Sequence, residues 1–261
     1  MNDKSVSPRL TVQSVGGPTA VIEIGGLRLV TDPTFGPPGV YDLGGRVLTK
    51  TTAPALSPAE IGPVDAVLLS HDQHVDNLDR TGRRWLETVP IVLTTLAASQ
   101  RLHGTTALRS WSHTDLERPD GGSLRITGVP AQHGPDNTEH LVGEVTGFVL
   151  TSDNLPTVYI SGDNASLEVV EDIARQMPAI DVAIIFAGAA RTPLLGEQNL
   201  TLGSEQTAMA AEILGANAVI PIHFEGWEHF TEGADPLRSA FTRAGLLSRL
   251  RLLYPGERLS I

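Results

Sequence analysis

The sequence predicts an α/β protein built as a four-layer αββα sandwich, in which two mixed β-sheets stack face to face and helices cover their outer faces. Three observations support this prediction. Strand-like apolar runs begin as a hairpin and recur along the chain, helical patterns separate the later strands, and no repeat or linker divides the sequence. Strands that alternate with helices in both halves favour stacked layers around one core. We expect a single domain over residues 1–261.

Ten segments have the length and the β-branched, apolar composition of strands. The first two flank Gly25-Gly26, a pair that predicts a tight hairpin turn. The ten predicted strands are Thr19–Ile24, Leu27–Thr31, Ala66–Ser70, Ile91–Thr95, Leu124–Val129, Gly147–Thr151, Thr157–Ser161, Val182–Phe186, Ala218–Ile222 and Leu250–Tyr254.

Helix signals lie between these strands. Ser57-Pro58-Ala59-Glu60 has the spacing of a capping box, with proline at the first helical position. Leu167–Met177 carries apolar residues at helical spacing, which predicts a face packed on a sheet. Ser204 begins a further helix that ends near Gly215, and Asp235–Phe241 forms another.

Composition excludes several classes of function. The formal net charge is −11 and the basic residues are scattered singly, which argues against nucleic acid as a partner. We expect a small-molecule substrate. The chain has no cysteine, so a metal must be held by His, Asp, Glu or Asn. No apolar run reaches the roughly 18–20 residues of a membrane span. The segment Met1–Ser5 does not begin a signal peptide, and we expect a cytoplasmic protein.

Imidazole and carboxylate groups follow four of the predicted strands. The loop from Ser70 to Asp79 contains two histidines and several aspartates. His133, Asp163 and His223 each lie at or just beyond a later apolar run. Zinc prefers these ligand types, and an open coordination position on zinc yields a nucleophile from water near neutral pH. The sequence therefore predicts a hydrolytic metal site.

These ordered motifs resemble the metallo-β-lactamase superfamily, nearest to its lactonase-like and phospholipase D-like metal-dependent hydrolases. The resemblance covers most of the chain, from Thr31-Asp32-Pro33 to Ile222-His223. It implies an αββα sandwich that holds one or two divalent metals between the sheet edges, usually zinc and sometimes manganese or iron. It also implies that His133 is a ligand, that Asp163 bridges two metals and that His223 is the final histidine.

The loop after Ala66–Ser70 matches the family pattern His-x-His-x-Asp-His in two ways. Read from the strand, His71 is the first ligand; read from the other end, Asp72 is first, His74 second and Asp76 third. One inserted residue reconciles the two alignments and puts His71 and His74 on the first metal. We prefer this alignment because imidazole is the better zinc ligand, and Asp72 stays an alternative.

Asn77 stands where the family pattern has its last histidine. An amide oxygen is a weak ligand for zinc and a better one for harder cations. The sequence is therefore compatible with a mononuclear enzyme and with a dinuclear enzyme that prefers manganese or iron at its second position.

The main interpretation is a metal-dependent hydrolase whose metal-bound hydroxide attacks an ester, lactone, amide or phosphoester of a small molecule. Asp76 orients the nucleophile and shuttles its proton, and Asp72 is the other candidate for a catalytic carboxylate. The predicted metal ligands are His71, His74, Asp76, His133, Asp163 and His223. Two alternatives are a metal-binding relative with degraded catalysis, serving as a sensor or biosynthetic accessory, and an iron- and oxygen-dependent enzyme of the same fold.

Three further residues are candidates for substrate binding. Arg191 follows a buried strand and either orients an anionic group of the substrate or forms a surface ion pair. Trp227 and His229 follow His223 closely, and their segment either lines the pocket or packs over it as a lid.

Overall fold

The computed structural model describes residues 9–261, so the predicted lack of a signal peptide at Met1–Ser5 lies outside the described residues. The strands are β1 (Leu10–Gly16), β2 (Thr19–Ile24), β3 (Leu27–Thr31), β4 (Gly39–Asp42), β5 (Val47–Lys50), β6 (Ala66–Leu68), β7 (Val92–Thr94), β8 (Thr106–Ala107), β9 (His113–Glu117), β10 (Ser123–Pro130), β11 (Thr146–Thr151), β12 (Val158–Ile160), β13 (Val182–Phe186), β14 (Ala218–Ile222) and β15 (Arg258–Ser260). The α-helices are α1 (Pro58–Ile61), α2 (Arg80–Leu86), α3 (Leu96–Arg101), α4 (Glu139–Val142), α5 (Leu167–Gln176), α6 (Ser204–Leu214) and α7 (Ala234–Arg243). Two short 3₁₀ helices span Pro193–Leu195 and Leu247–Arg249.

Two large mixed sheets contain most of the strands, as predicted. The first has the order β15-β1-β2-β3-β6-β7-β8, and its strands are antiparallel from β15 to β3 and parallel from β3 to β8. The second has the order β14-β13-β12-β11-β10-β9, and its strands are parallel from β14 to β12 and antiparallel from β12 to β9. The predicted turn at Gly25-Gly26 joins β2 to β3, and both glycines have positive φ, +58° and +80°. Strands β4 and β5 form a separate hairpin.

Side chains along the strands point alternately to the two faces of each sheet, and this alternation builds the four layers. In β13, Ile184 faces the core between the sheets, whereas Ala183 and Ile185 face α5, α6 and α7. In β6, Leu68 enters the same central core and Val67 faces α1, α2 and α3. Each sheet is thus buried on both faces, and the predicted αββα sandwich is confirmed. The assignment of residues 1–261 to one domain stays a prediction.

The predicted helix signals at Ser57 and Gly215 are confirmed. Ser57 accepts from the backbone of Glu60, and the Glu60 side chain accepts from the backbone of Ser57 in return, which is the predicted capping box. Gly215 ends α6 in the left-handed conformation. Within residues 9–261, no helix combines the length and the apolar character needed to cross a membrane.

The predicted strand at Leu250–Tyr254 is wrong. Leu250 makes a single bridge to Val219, and the chain then turns, with the Glu257 amide donating to the Tyr254 carbonyl. The segment crosses from the edge of the second sheet to the first, where β15 pairs with β1. This leucine-rich segment connects the two sheets and has the composition of a strand, but it has no neighbouring strand to pair with. Composition alone does not distinguish a paired strand from such a buried connecting segment.

Gly82 allows α2 to pack closely on the loop after β3. A Cβ atom at this position would lie 1.8 Å from the carbonyl oxygen of Pro33. We therefore expect Gly82→Ala to lower the free energy of unfolding by about 2–3 kcal/mol, measured by urea denaturation. Gly233→Ala is the control, because no atom lies within 4 Å of the added carbon, and its stability should change by less than about 0.5 kcal/mol. Equal midpoints for the two variants would contradict the close packing of α2.

Candidate metal centre

The predicted ligand loops gather at one edge of the two sheets. The loop from Ser70 to Asp79 follows β6, His133 follows β10, Asp163 follows β12 and His223 follows β14. Strands β12, β13 and β14 are parallel, so their carboxyl ends meet at the same edge. Polar groups in α/β folds commonly converge at this edge.

Three imidazoles and one carboxylate form a compact buried group. His74 Nδ1 lies 3.1 Å from His71 Nε2 and 3.1 Å from His133 Nε2. With Asp163 they offer four ligand atoms that all lie within 4.8 Å of one another. Ligands at about 2.0–2.1 Å from a tetrahedral metal are separated by about 3.3 Å, so this donor set fits a divalent cation.

Hydrogen bonds behind the imidazoles fix their orientation. Ser70 Oγ lies 2.6 Å from Asp32 Oδ2 and 2.9 Å from His71 Nδ1. With Asp32 ionised, the hydroxyl donates to the carboxylate and accepts from Nδ1–H, which leaves the lone pair of His71 Nε2 facing the group. His133 Nδ1 lies 2.9 Å from the carbonyl oxygen of Leu200, which can only accept, so His133 Nε2 also keeps its lone pair.

Burial and charge divide the ionisable groups into a neutral set and a charged set. Burial lowers the pKa of His71 to about 4 and that of His74 well below its usual range, so both imidazoles are neutral at pH 7. Neutral imidazole is the form that binds a metal. Burial raises the pKa of Asp32 to about 7, although the hydrogen bonds from Ser70 lower it.

Asp76, His223 and His229 lie beside this group. His223 Nε2 is 3.4 Å from Asp76 Oδ2 and 3.4 Å from Asp163 Oδ1, and His229 Nε2 is 3.0 Å from Asp76 Oδ2. Burial lowers the pKa of His223, but the two carboxylates raise it to about 10. Burial opposes the ionisation of Asp76, yet His229 and His223 hold its pKa well below the usual range.

Two residues of the loop do not join the imidazoles. Asp72 Oδ2 accepts from Arg101 Nε at 3.0 Å, so this carboxylate is committed to an ion pair outside the group. The structure therefore supports the alignment that begins at His71. Asn77 Nδ2 donates to Asp163 Oδ1 at 3.1 Å and to Asp32 Oδ2 at 3.3 Å, so its nitrogen and not its oxygen faces the carboxylates.

Two of the three candidates for substrate binding line a cavity, and the third is buried behind its wall. A cavity of about 1030 Å³ opens on the metal group, and Arg191 and His229 line it. The Arg191 guanidinium donates to Asn199 at 2.9 Å and to Glu197 at 2.6 Å. Trp227 is buried, does not line the cavity and packs beneath Lys50, whose Nζ lies 5.6 Å from the ring centre.

Lys50 is a structural residue of the site region that sequence reasoning missed. Its Nζ is buried and donates to the carbonyl oxygens of Thr34 at 2.9 Å and Gly36 at 3.0 Å. These bonds tie the β4–β5 hairpin, which forms one wall of the cavity, to the loop after β3. A lone lysine after a short polar strand gives no sequence signal for such a role.

Comparison with known proteins identifies the family. A family model described as the beta-lactamase superfamily domain matches residues 27–224. The chain belongs to the beta-lactamase superfamily. It is 27% identical over 222 residues to a UPF0173 metal-dependent hydrolase of Pyrococcus horikoshii, covering 82% of this chain and 89% of the relative. It is 31% identical over 189 residues to a UPF0173 metal-dependent hydrolase of Methanosphaerula palustris, covering 69% and 77%.

A solved structure shows the same fold. The isothiocyanate hydrolase from Delia radicum gut bacteria superposes with a TM-score of 0.80 at 20% identity, covering 96% of this chain and 99% of that one. The family model and the relatives confirm the superfamily predicted from the ordered motifs and the assignment of the chain as a metal-dependent hydrolase. The roles of the individual site residues stay predictions.

Removing one imidazole tests the metal group directly. We expect His133→Ala to lose at least one equivalent of bound metal, because three imidazoles share the site, while its circular dichroism spectrum stays that of the folded protein. Metal content after dialysis, measured by mass spectrometry, checks this. His103→Ala, at an exposed position outside the group, should bind as much metal as the wild type. Unchanged metal content in His133→Ala would remove this residue from the ligand set.

The hydroxyl of Ser70 orients His71, so its loss should weaken metal binding without removing a ligand. We expect Ser70→Ala to lower metal affinity about 10–100-fold, measured by competition with a chromophoric chelator. Ser99→Ala is the matched control, because that hydroxyl donates only to a carbonyl of its own helix. Equal affinities in the two variants would contradict the orienting role of Ser70.

Proposed function

We propose that the chain hydrolyses small, uncharged carboxylic esters or lactones that carry an apolar substituent. The observation that carries this proposal is the position of the compact His3Asp group at the base of a cavity whose mouth is aliphatic. The group supports a metal-dependent reaction, and the mouth supports an apolar substrate. Esters and lactones have both features, because they contain an electrophilic carbonyl carbon and can carry an apolar substituent.

The residues present favour zinc at the first position. His71, His74, His133 and Asp163 would hold it, since three nitrogens and one oxygen at these separations suit its preferred coordination. A metal held by these residues would supply a nucleophile from water near neutral pH and would stabilise the developing oxyanion. Asp76 lines the cavity as an ionised carboxylate, and it would accept a hydrogen bond from the attacking water and orient it.

Four exposed aliphatic side chains from three separate segments lie at the cavity mouth. Leu43 and Val47 come from the β4–β5 hairpin, Leu141 from α4 and Leu194 from a 3₁₀ helix. All four are large hydrophobic residues that stay exposed, Leu194 to 61% and Val47 to 55%. Soluble proteins rarely place several such residues around one opening unless it binds an apolar group.

The charges around the cavity favour an uncharged substrate over a phosphodiester. The Arg191 guanidinium is already paired with Glu197, so it offers little net positive charge to an anion. Glu228 adds a carboxylate to the lining, which would repel a substrate phosphate. Arg46 contributes a cation at the rim that offsets Glu228, so these residues offer no net positive charge to an anion.

A series of p-nitrophenyl esters tests the proposal. We expect kcat/KM to rise about 2–4-fold for each added methylene from acetate to hexanoate, because each buried methylene contributes up to about 0.8 kcal/mol. Chelation of the metal should abolish every rate, and added zinc should restore it. Leu194→Ser should flatten the rise with chain length, whereas Met209→Ser, another exposed large hydrophobic residue but outside the cavity, should keep it.

Two results would count against this function. Hydrolysis rates that stay the same after chelation of the metal would exclude metal-dependent hydrolysis of these esters. Rates that depend on the metal but do not change with chain length would support metal-dependent hydrolysis. They would show that the aliphatic residues at the cavity mouth do not determine specificity.

A further inference from the structure

We propose that His229 is a metal ligand and that, with Asp76, His223 and Asp163, it completes a second cation site. In this arrangement, His229 supplies from a different segment the imidazole that position 77 lacks. The inference rests on the proposed metal-dependent function, but it concerns which side chains hold the second cation and not which substrate is used.

The distances around His223 match those of ligands on a shared metal. His229 Nε2 lies 3.0 Å from Asp76 Oδ2, and His223 Nε2 lies 3.4 Å from both Asp76 Oδ2 and Asp163 Oδ1. Ligand atoms about 2.0–2.2 Å from a tetrahedral metal are separated by about 3.3–3.6 Å. The two contacts of His223 therefore have the separations expected of ligands on one metal, and the shorter contact of His229 with Asp76 places a second imidazole beside them.

The ring nitrogens of His223 also indicate a bound cation. Both ring nitrogens of His223 are buried and lack a hydrogen-bond partner among residues 9–261, although Nε2 faces two carboxylates. Buried polar atoms in native proteins are almost always partnered, and each exception calls for an explanation. A cation between Asp76 and Asp163 would satisfy Nε2 of the neutral imidazole.

Asn77 cannot serve as the missing ligand in its observed orientation. Its amide nitrogen, which has no lone pair to donate, points at Asp163 Oδ1 and Asp32 Oδ2. It thus holds Asp163 in place through a hydrogen bond to the carboxylate. An imidazole from another segment would add a fourth strong ligand to Asp76, Asp163 and His223, and His229 lies in contact with Asp76.

The backbone around His229 is fixed from both sides, so the imidazole is positioned in advance. The Glu228 amide donates to the carbonyl of Thr49 in β5 at 3.0 Å, and the Arg191 amide donates to the carbonyl of His229 at 3.2 Å. The ring of Phe230 packs against that of His229 with centroids 4.5 Å apart. His229 also lines the cavity, so a cation bound there would face the substrate.

Metal stoichiometry distinguishes this role from simple lining of the cavity. The full chain is loaded with Mn²⁺, dialysed and analysed by mass spectrometry and electron paramagnetic resonance. We expect two equivalents and a spin-coupled signal in the wild type, and one equivalent with an uncoupled signal in His229→Ala and His229→Gln. Asn77→His in the His229→Ala background should restore the second equivalent, because it returns an imidazole to the loop. His140→Ala, an exposed position, is the control.

Two equivalents in both His229 variants would overturn the proposal, as would a single equivalent in the wild type at saturating Mn²⁺. These outcomes are separate from those of the proposed function. One combination of results separates the two proposals: the wild type binds two metals, the His229 variants bind one, and no ester is hydrolysed. In that case the assignment of His229 as a ligand stands and the proposed ester hydrolysis is rejected.

Discussion

The buried carboxylate of Asp32 connects the end of β3 to both halves of the ligand loop, and the metal centre depends on it. Oδ1 accepts from the Ser70 amide at 2.6 Å, and Oδ2 accepts from the Ser70 hydroxyl at 2.6 Å and from Asn77. Ser70 in turn orients His71, and Asn77 orients Asp163. Asp32 has a positive φ of 25°, a strained conformation that the surrounding bonds must maintain. One side chain thus sets the positions of ligands on two different sheets.

This arrangement places carboxylates close together in a buried site, where the imidazoles of His71 and His74 are neutral and the imidazole of His223 carries the balancing charge. Burial keeps His71 and His74 neutral, whereas Asp76 and Asp163 raise the pKa of His223 to about 10. A proton on His223 therefore neutralises part of the negative charge between the two carboxylates. A divalent cation at the same place would neutralise it more completely, so metal binding and stability are coupled.

Sequence patterns predicted the interior of the fold better than its surface. β2, β3, β13 and β14 have the predicted limits, because their apolar runs are packed from both sides. Pattern reasoning did not predict the β4–β5 hairpin, since its exposed valines and glycines lack a core face. The choice between His71 and Asp72 depends on Arg101, 29 positions away, which binds Asp72. The proximity of His229 to Asp76 likewise depends on the tertiary structure, and no local spacing encodes it.

The same division separates the metal group from the cavity mouth, the surface that we propose contacts substrate. The candidate ligands follow the ends of strands that share the central core, so their positions depend on the packing of both sheets. The cavity mouth is carried by the β4–β5 hairpin, α4 and a 3₁₀ helix, which lie outside the two large sheets. Lys50 and Trp227 link the hairpin to the segment after β14 without lining the cavity. Substitutions at the mouth can therefore change substrate preference while the ligand geometry stays intact, which is how one metal centre can serve many substrates.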